Sequence, residues 1–221
     1  MKKHYFFILK IWLLISATFA VGQHIPENKI LFYEDAVNIP LCSSHSISIN
    51  SDTLSTAFIM AASFFPELCG RKISLQYGRI GTSMAAQPRI LSIFRSRDKR
   101  SYRLIVNRDA HKGQTQLLYT APFNALVGVM GHELVHIQNY TTKSGLQMVW
   151  LGVRYLGKNY RRELERQTDL ATIDRGLGWQ LYHFSYYVIN IADIEEEYRR
   201  YKLEVYMTPE KIFELINREV E

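Results

Sequence analysis

The apolar positions change period partway along this chain. Ile73, Leu75 and Tyr77 alternate with Ser74 and Gln76, and Tyr102, Leu104 and Val106 alternate with Arg103, Ile105 and Asn107. A period of two, punctuated by Gly78 and Gly81 and followed by the turn-like run 109–113, predicts strands. Residues 82–86, 90–94 and 116–120 read as further strands, so a small antiparallel or mixed sheet is expected. Upstream, 54–65 is apolar and Ala-rich, with Ser51 or Asp52 as N-cap and Pro66 behind it, which predicts a buried helix. Residues 23–50 carry Pro26 and Pro40 and read as an irregular lead-in with one short strand.

From Pro122 onward the spacing is helical. Residues 123–140 form the central predicted helix, with Thr120 as N-cap and Pro122 in the first turn. Further helices are expected over 145–156 and over 159–175, the latter stopping at Gly176-Leu177-Gly178. An aromatic-rich stretch, 179–191, and a charged one, 194–203, precede a last helix from Thr208-Pro209-Glu210 to Arg218. Helix, then sheet, then helices is the order of an α+β domain.

The N-terminus changes the picture of what the mature chain is. Lys2 and Lys3 precede an apolar stretch over 5–19 that Lys10 interrupts, and Ala20-Val21-Gly22 offers a small-x-small cleavage site. That is the pattern of a secretory signal peptide over 1–22, leaving one domain over 23–221. The competing reading is an uncleaved membrane anchor, for which the stretch is short. Nothing after it is long and apolar enough to span a bilayer, so no transmembrane segment is expected in the mature chain. The protein is expected in an exported compartment, periplasmic or secreted. The formal charge of +6 comes from 27 basic and 21 acidic residues. Without Lys2, Lys3 and Lys10 it is 24 against 21, or +3, too mild to imply nucleic acid. Cys42 and Cys69 can pair in an oxidising compartment, the alternative being two buried thiols.

The central helix carries the chemistry. Leu126, Val127, Val129, Met130, Leu134, Val135 and Ile137 make it apolar on nearly every face, which belongs in a core. Yet His132, Glu133 and His136 sit in its middle, and burying unpaired ionisable groups is costly. A metal ion would compensate. Residues four apart stack on one helix face, so both imidazoles can reach one ion. Glu133, turned by about 100°, misses the ion and can act as general base. Downstream, Glu165 and Asp169 are also four apart. Glu165 is the expected third protein ligand, with Glu163 as its rival, and Asp169 is expected to accept a hydrogen bond from a ligand histidine, His132 by choice.

Gly-His-Glu-Leu-Val-His at 131–136 followed by Glu-Arg-Gln-Thr-Asp at 165–169 resembles the gluzincin metallopeptidases, and among them the M48 peptidase family, with H-E-x-x-H and a later E-x-x-x-D. The lead-in through Ala121 and Pro122 is similar too. The resemblance spans roughly 70–176. That family's acidic motif usually reads Ala-Asp where this chain has Thr168-Asp169. The metzincin pattern, which needs a third histidine soon after His136, is absent, since 137–146 contains none. The resemblance implies a zincin-like fold, a small sheet packed on the H-E-x-x-H helix, one Zn2+ per chain, and endopeptidase activity on peptide or unfolded protein substrates.

Peptide hydrolysis needs an oxyanion stabiliser, and His183, Tyr186 and Tyr187 are the candidates. A substrate strand would add to a sheet edge, either 102–107 or 116–120. The competing function is a catalytically inactive, zinc-stabilised binding or adaptor protein on a peptidase fold, with its site covered by its own chain. Arg95, Arg97, Lys99, Arg100 and Arg103 form a basic cluster that reads as a hairpin tip or as a surface for an acidic partner.

Overall fold

Consecutive residues Ile73, Ser74 and Leu75 are all buried, as are Leu104, Ile105, Val106 and Asn107. Successive side chains on a strand point to opposite faces, so the sheet that these residues build is covered on both sides. The structure, a computed structural model, describes residues 30–108 and 114–218. The segment 1–22, expected to be a signal peptide, and the predicted turn 109–113 lie outside the described residues.

Four strands, β1 (His45–Ser48), β2 (Lys72–Gly78), β3 (Met84–Pro88) and β4 (Ser101–Asn107), form one sheet in the order β1-β2-β4-β3. β1 with β2 and β2 with β4 are parallel, and β3 runs antiparallel along β4 with Ala86 opposite Leu104. The sheet is therefore mixed, and β3 is one of its edges. Helices precede and follow it: α1 (Tyr33–Val37), α2 (Asp52–Ser63), α3 (Gln114–Thr120), α4 (Phe123–Thr142), α5 (Gly145–Tyr155), α6 (Lys158–Thr172), α7 (Gly178–Tyr186), α8 (Glu196–Val205) and α9 (Pro209–Arg218). The class is α+β.

Four expectations are corrected. Residues 90–94 do not pair as a strand. Ile90–Ser92 is a tight turn, closed by the Ser92 hydroxyl, which donates to the Arg89 carbonyl at 2.7 Å and accepts from the Ser101 amide at 3.2 Å. Such local side-chain bonds compete with a ladder. Residues 116–120 belong to helix α3; Leu117 and Leu118 are both buried, which suits adjacent positions of a helix wedged into the core. Thr120 thus ends α3, and Pro122 caps α4. Finally, 102–107 is no edge, because β4 lies between β2 and β3.

α4 is the axis of the molecule, buried from Asn124 through Ile137. α2 packs on it through an apolar face that includes Leu54, Ala57, Phe58 and Ala61. α7 crosses it so closely that a Cβ at Gly128 would stand 2.1 Å from the Gln180 carbonyl oxygen. Between α6 and α7 the chain turns through Ile173–Leu177, where Gly176 adopts φ 82°, the left-handed conformation that glycine takes at little cost. Cys42 and Cys69 form a disulfide, which ties the loop before β1 to the turn after α2.

Because the atom facing Gly128 is backbone, Gly128→Ala is expected to cost about 1–3 kcal/mol, read as a lower denaturant midpoint at unchanged slope. An unchanged midpoint would mean that the two helices are free to separate. Replacing Cys42 and Cys69 together by Ser is expected to cost about 3–4 kcal/mol by the chain-entropy model, measured the same way.

Candidate metal centre

Helical spacing brings His132 and His136 to one side of α4, and the same spacing brings Glu165 and Asp169 to one side of α6. The two helices pack so that these sides meet. His132 Nε2 and His136 Nε2 lie 3.0 Å and 3.2 Å from the same oxygen, Glu165 Oε2. All three residues are buried, and their ligand atoms lie within 4.8 Å of one another. Tetrahedral zinc with bonds of about 2.0–2.1 Å holds its donors roughly 3.3–3.4 Å apart. The donor set and its spacing therefore fit a metal ion.

His132, Glu165 and Asp169 have partners at their remaining polar atoms that fix their roles. His132 Nδ1 is 2.9 Å from Asp169 Oδ1. With its proton on Nδ1 the imidazole donates to Asp169 and leaves Nε2 free to ligate. The other Asp169 oxygen accepts the Met207 amide at 2.9 Å, which anchors α6 to the chain entering α9. Glu165 Oε1 accepts the Tyr155 hydroxyl at 2.5 Å. The Tyr140 ring stacks on His136, with centroids 6.3 Å apart. Glu163, the rival ligand, is exposed and accepts a bond from Gln167 instead.

Glu133 is bonded to the sheet rather than to the cluster. Its Oε2 accepts the Ala86 amide at 2.5 Å, so the carboxylate is held against edge strand β3. The Ala86 carbonyl accepts the Tyr140 hydroxyl at 3.4 Å. A cleft of about 650 Å³ runs past this point, with Ala86, Glu133, His136, Tyr140, Tyr155 and Glu165 among its lining residues. On the other side of Glu133 lies a small cavity of about 40 Å³ against Met84, Phe184, Lys202 and Tyr206.

The three oxyanion candidates lie elsewhere. α7 and the turn after it turn Leu181, Phe184, Ser185 and Val188 toward the small cavity, which puts His183, Tyr186 and Tyr187 on its other faces. The Tyr187 hydroxyl bonds Thr120 at 2.6 Å, Tyr186 is exposed and stacks on Tyr182, and His183 also packs on Tyr182. Burial lowers the His183 pKa. Beside Tyr140 and Tyr155, a third aromatic residue borders the cluster: Tyr206, whose ring centroid is 5.7 Å from that of His132 and which lines both the cleft and the small cavity. Lys202 Nζ sits 4.0 Å above the Tyr206 ring. Nothing near residue 206 in the sequence marks it. Tyr140, four residues after His136, was open to the same spacing argument that found His136.

Electrostatics follow the geometry. Burial works against charge on His132, but the hydrogen bonds to Asp169 and Glu165 outweigh it and raise its pKa to about 10. Burial raises Glu165, yet the His136 charge and the bonds to both imidazoles hold it well below the usual carboxylate range. Burial, with the Glu165 charge next, pushes the Tyr155 and Tyr206 hydroxyls up, so both stay protonated. Burial works against the charge of Lys202 as well, but Tyr198 and the Glu165 and Glu133 carboxylates raise its pKa above the ordinary lysine value.

Compared with protein-family models, with curated proteins and with solved structures, the chain matches none. The residues themselves carry the functional argument.

The metal-free protein has a pH signature. The folded pKa of His132, about 10, exceeds its ordinary 6.5, so its contribution is complete below 6.5 and is lost as pH rises through about 10. The folded pKa of Glu165 lies well below its ordinary 4.5, so its contribution is complete above 4.5 and is lost as pH falls through the lowered value. Melting temperatures of chelator-treated protein are therefore expected to fall on the acid side of 4.5 and on the way from 6.5 to 10. A steady rise over that alkaline range would contradict the assignment.

Proposed function

We propose that this chain is a zinc-dependent endopeptidase of the gluzincin type, closest to the M48 family, that hydrolyses peptide or unfolded protein substrates in an exported compartment. The observation that carries this reading is the convergence of His132 Nε2, His136 Nε2 and Glu165 Oε2, with Glu133 beside them on an open cleft. A third ligand from a separate helix and a carboxylate one position off the ligand face are what hydrolysis at a metal requires. The mixed sheet with an antiparallel edge strand along the cleft supports a zincin-like fold. The Cys42–Cys69 disulfide supports an oxidising compartment.

Bound by these three residues, zinc supplies Lewis-acid polarisation of a carbonyl and acidifies water. Glu133 is the group that accepts the proton of the attacking water and returns it to the leaving amine. Its bond to the Ala86 amide fixes the carboxylate at the strand edge. The outward-facing carbonyl of Ala86, which here accepts only the Tyr140 hydroxyl and has a second lone pair, makes β3 the edge to which an extended substrate adds. Tyr206, protonated and beside His132, replaces His183, Tyr186 and Tyr187 as candidate donor to the developing oxyanion. An inactive adaptor would cover its site with its own chain; the cleft beside Glu133, His136 and Glu165 argues for the enzyme.

Glu133→Gln tests the mechanism. The amide oxygen can still accept from Ala86, so the fold and the three ligands are expected to persist, while hydrolysis of an unfolded casein falls by about 10²–10⁴-fold. Hydrolysis within a few-fold of wild type would overturn the assignment of Glu133.

A further inference from the structure

The basic cluster and one face of α5 are unexplained by the metal centre. α5 buries Met148 and Leu151 and turns Leu146, Val149, Trp150 and Val153 outward, at the spacing of a single helical stripe. Leu146 is 81 % exposed and Trp150 62 %. The turn before β4 adjoins this helix. A Cβ at Gly145 would meet the Ile93 carbonyl oxygen at 2.9 Å, and the Arg100 guanidinium donates to the Lys143 carbonyl at 2.6 Å. That turn leaves Leu91 86 % and Phe94 76 % exposed. Six large apolar side chains thus protrude from one rim of the cleft, and singly scattered apolar residues do not account for such a group.

Charge surrounds the same rim. Residues 89–103 hold six Arg and Lys against one Asp, and 143–162 hold five against none. Together they sum to +10, although Arg100 is buried and Lys158 pairs with Glu204, while the whole chain is +6, so all other residues sum to −4. Among the described residues Arg95, Arg97 and Lys99 are exposed and have no carboxylate partner; Asp98 between them pairs with Arg71.

We propose that α5 and the 89–99 segment dock the protein on an anionic phospholipid surface. An apolar stripe with a tryptophan, edged by cations, is the composition that lies in a bilayer interface. Separately protruding side chains need no matching shape there, whereas a protein partner must supply pockets for each. The cations draw the rim to anionic headgroups over about a Debye length. Docked this way, the cleft opens beside the lipid, because Ile93, Val149 and Gly152 also border it. The inference does not depend on the peptidase reading.

The test uses the full chain and Trp150→Phe, whose difference spectrum isolates Trp150 from Trp12 and Trp179. Residues 5–19 are common to both. With phosphatidylcholine vesicles containing phosphatidylglycerol, Trp150 emission is expected to shift blue and to be quenched by brominated lipid. Arg95→Gln, Arg97→Gln and Lys99→Gln combined, all at exposed positions, are expected to weaken this response on the order of 100-fold in lipid concentration. No vesicle response of Trp150 would overturn the proposal even if the chain sediments with lipid. So would an equal response to pure phosphatidylcholine. Emission already blue-shifted without vesicles would overturn it too, by showing the stripe covered by a second copy or by the chain's own N-terminal segment.

Discussion

Four ionisable side chains buried between two helices dictate the rest of this structure. His132, His136, Glu165 and Asp169 lie among apolar residues, each less than a tenth exposed. None is tolerable there alone, since an unpaired buried charge costs several kcal/mol or more. They are tolerable together because every carboxylate oxygen has a donor and His132 is held at both nitrogens. That mutual satisfaction demands that α4 and α6 meet in one register. Surrounding elements enforce it: Met207 holds Asp169 from behind, and Tyr155 holds Glu165 from α5.

The same constraint explains the unusual closeness of α4 and α7. A helix carrying the cluster must be covered on its remaining faces to keep water from competing for those groups. α2 and the sheet cover one side, and α7 covers another at the distance that Gly128 permits. The edge strand β3 completes the enclosure only partly. It contributes the Ala86 amide to Glu133 and leaves the cleft open beyond it, so the carboxylate most exposed to a substrate is also the one held by backbone rather than by the cluster.

The local parts of this arrangement were legible in the sequence. His132, Glu133 and His136 follow from helical spacing on an apolar helix, and Glu165 and Asp169 from the same spacing on a polar one. α2, α4, α5, α6 and α9 were found within a few residues, because each has a sustained period, a cap or a breaker. What was lost depended either on short side-chain bonds that close a turn or on contacts distant in sequence. Leu117 and Leu118 gave 116–120 the look of a strand, whereas these residues close helix α3 against the core. Ser92 closes a turn where a strand was expected. Tyr206 lies 74 residues from His132 in the chain and has no periodic signal. The mix of parallel and antiparallel pairing, and hence the identity of the edge, is a property of topology that alternation does not encode. The cysteine pair was open between bridge and free thiols until the two were seen joined.

The central claim is that the cluster exists to hold a metal ion, and the most direct test is a metal count that depends on no substrate. The account predicts about one zinc per purified chain, and loss or severe weakening of binding in Glu165→Ala with the fold retained. A wild-type chain that takes up no zinc even after reconstitution, or a Glu165→Ala chain that binds it as tightly as wild type, would contradict it; in the first case His132 and His136 would be held by their carboxylates alone.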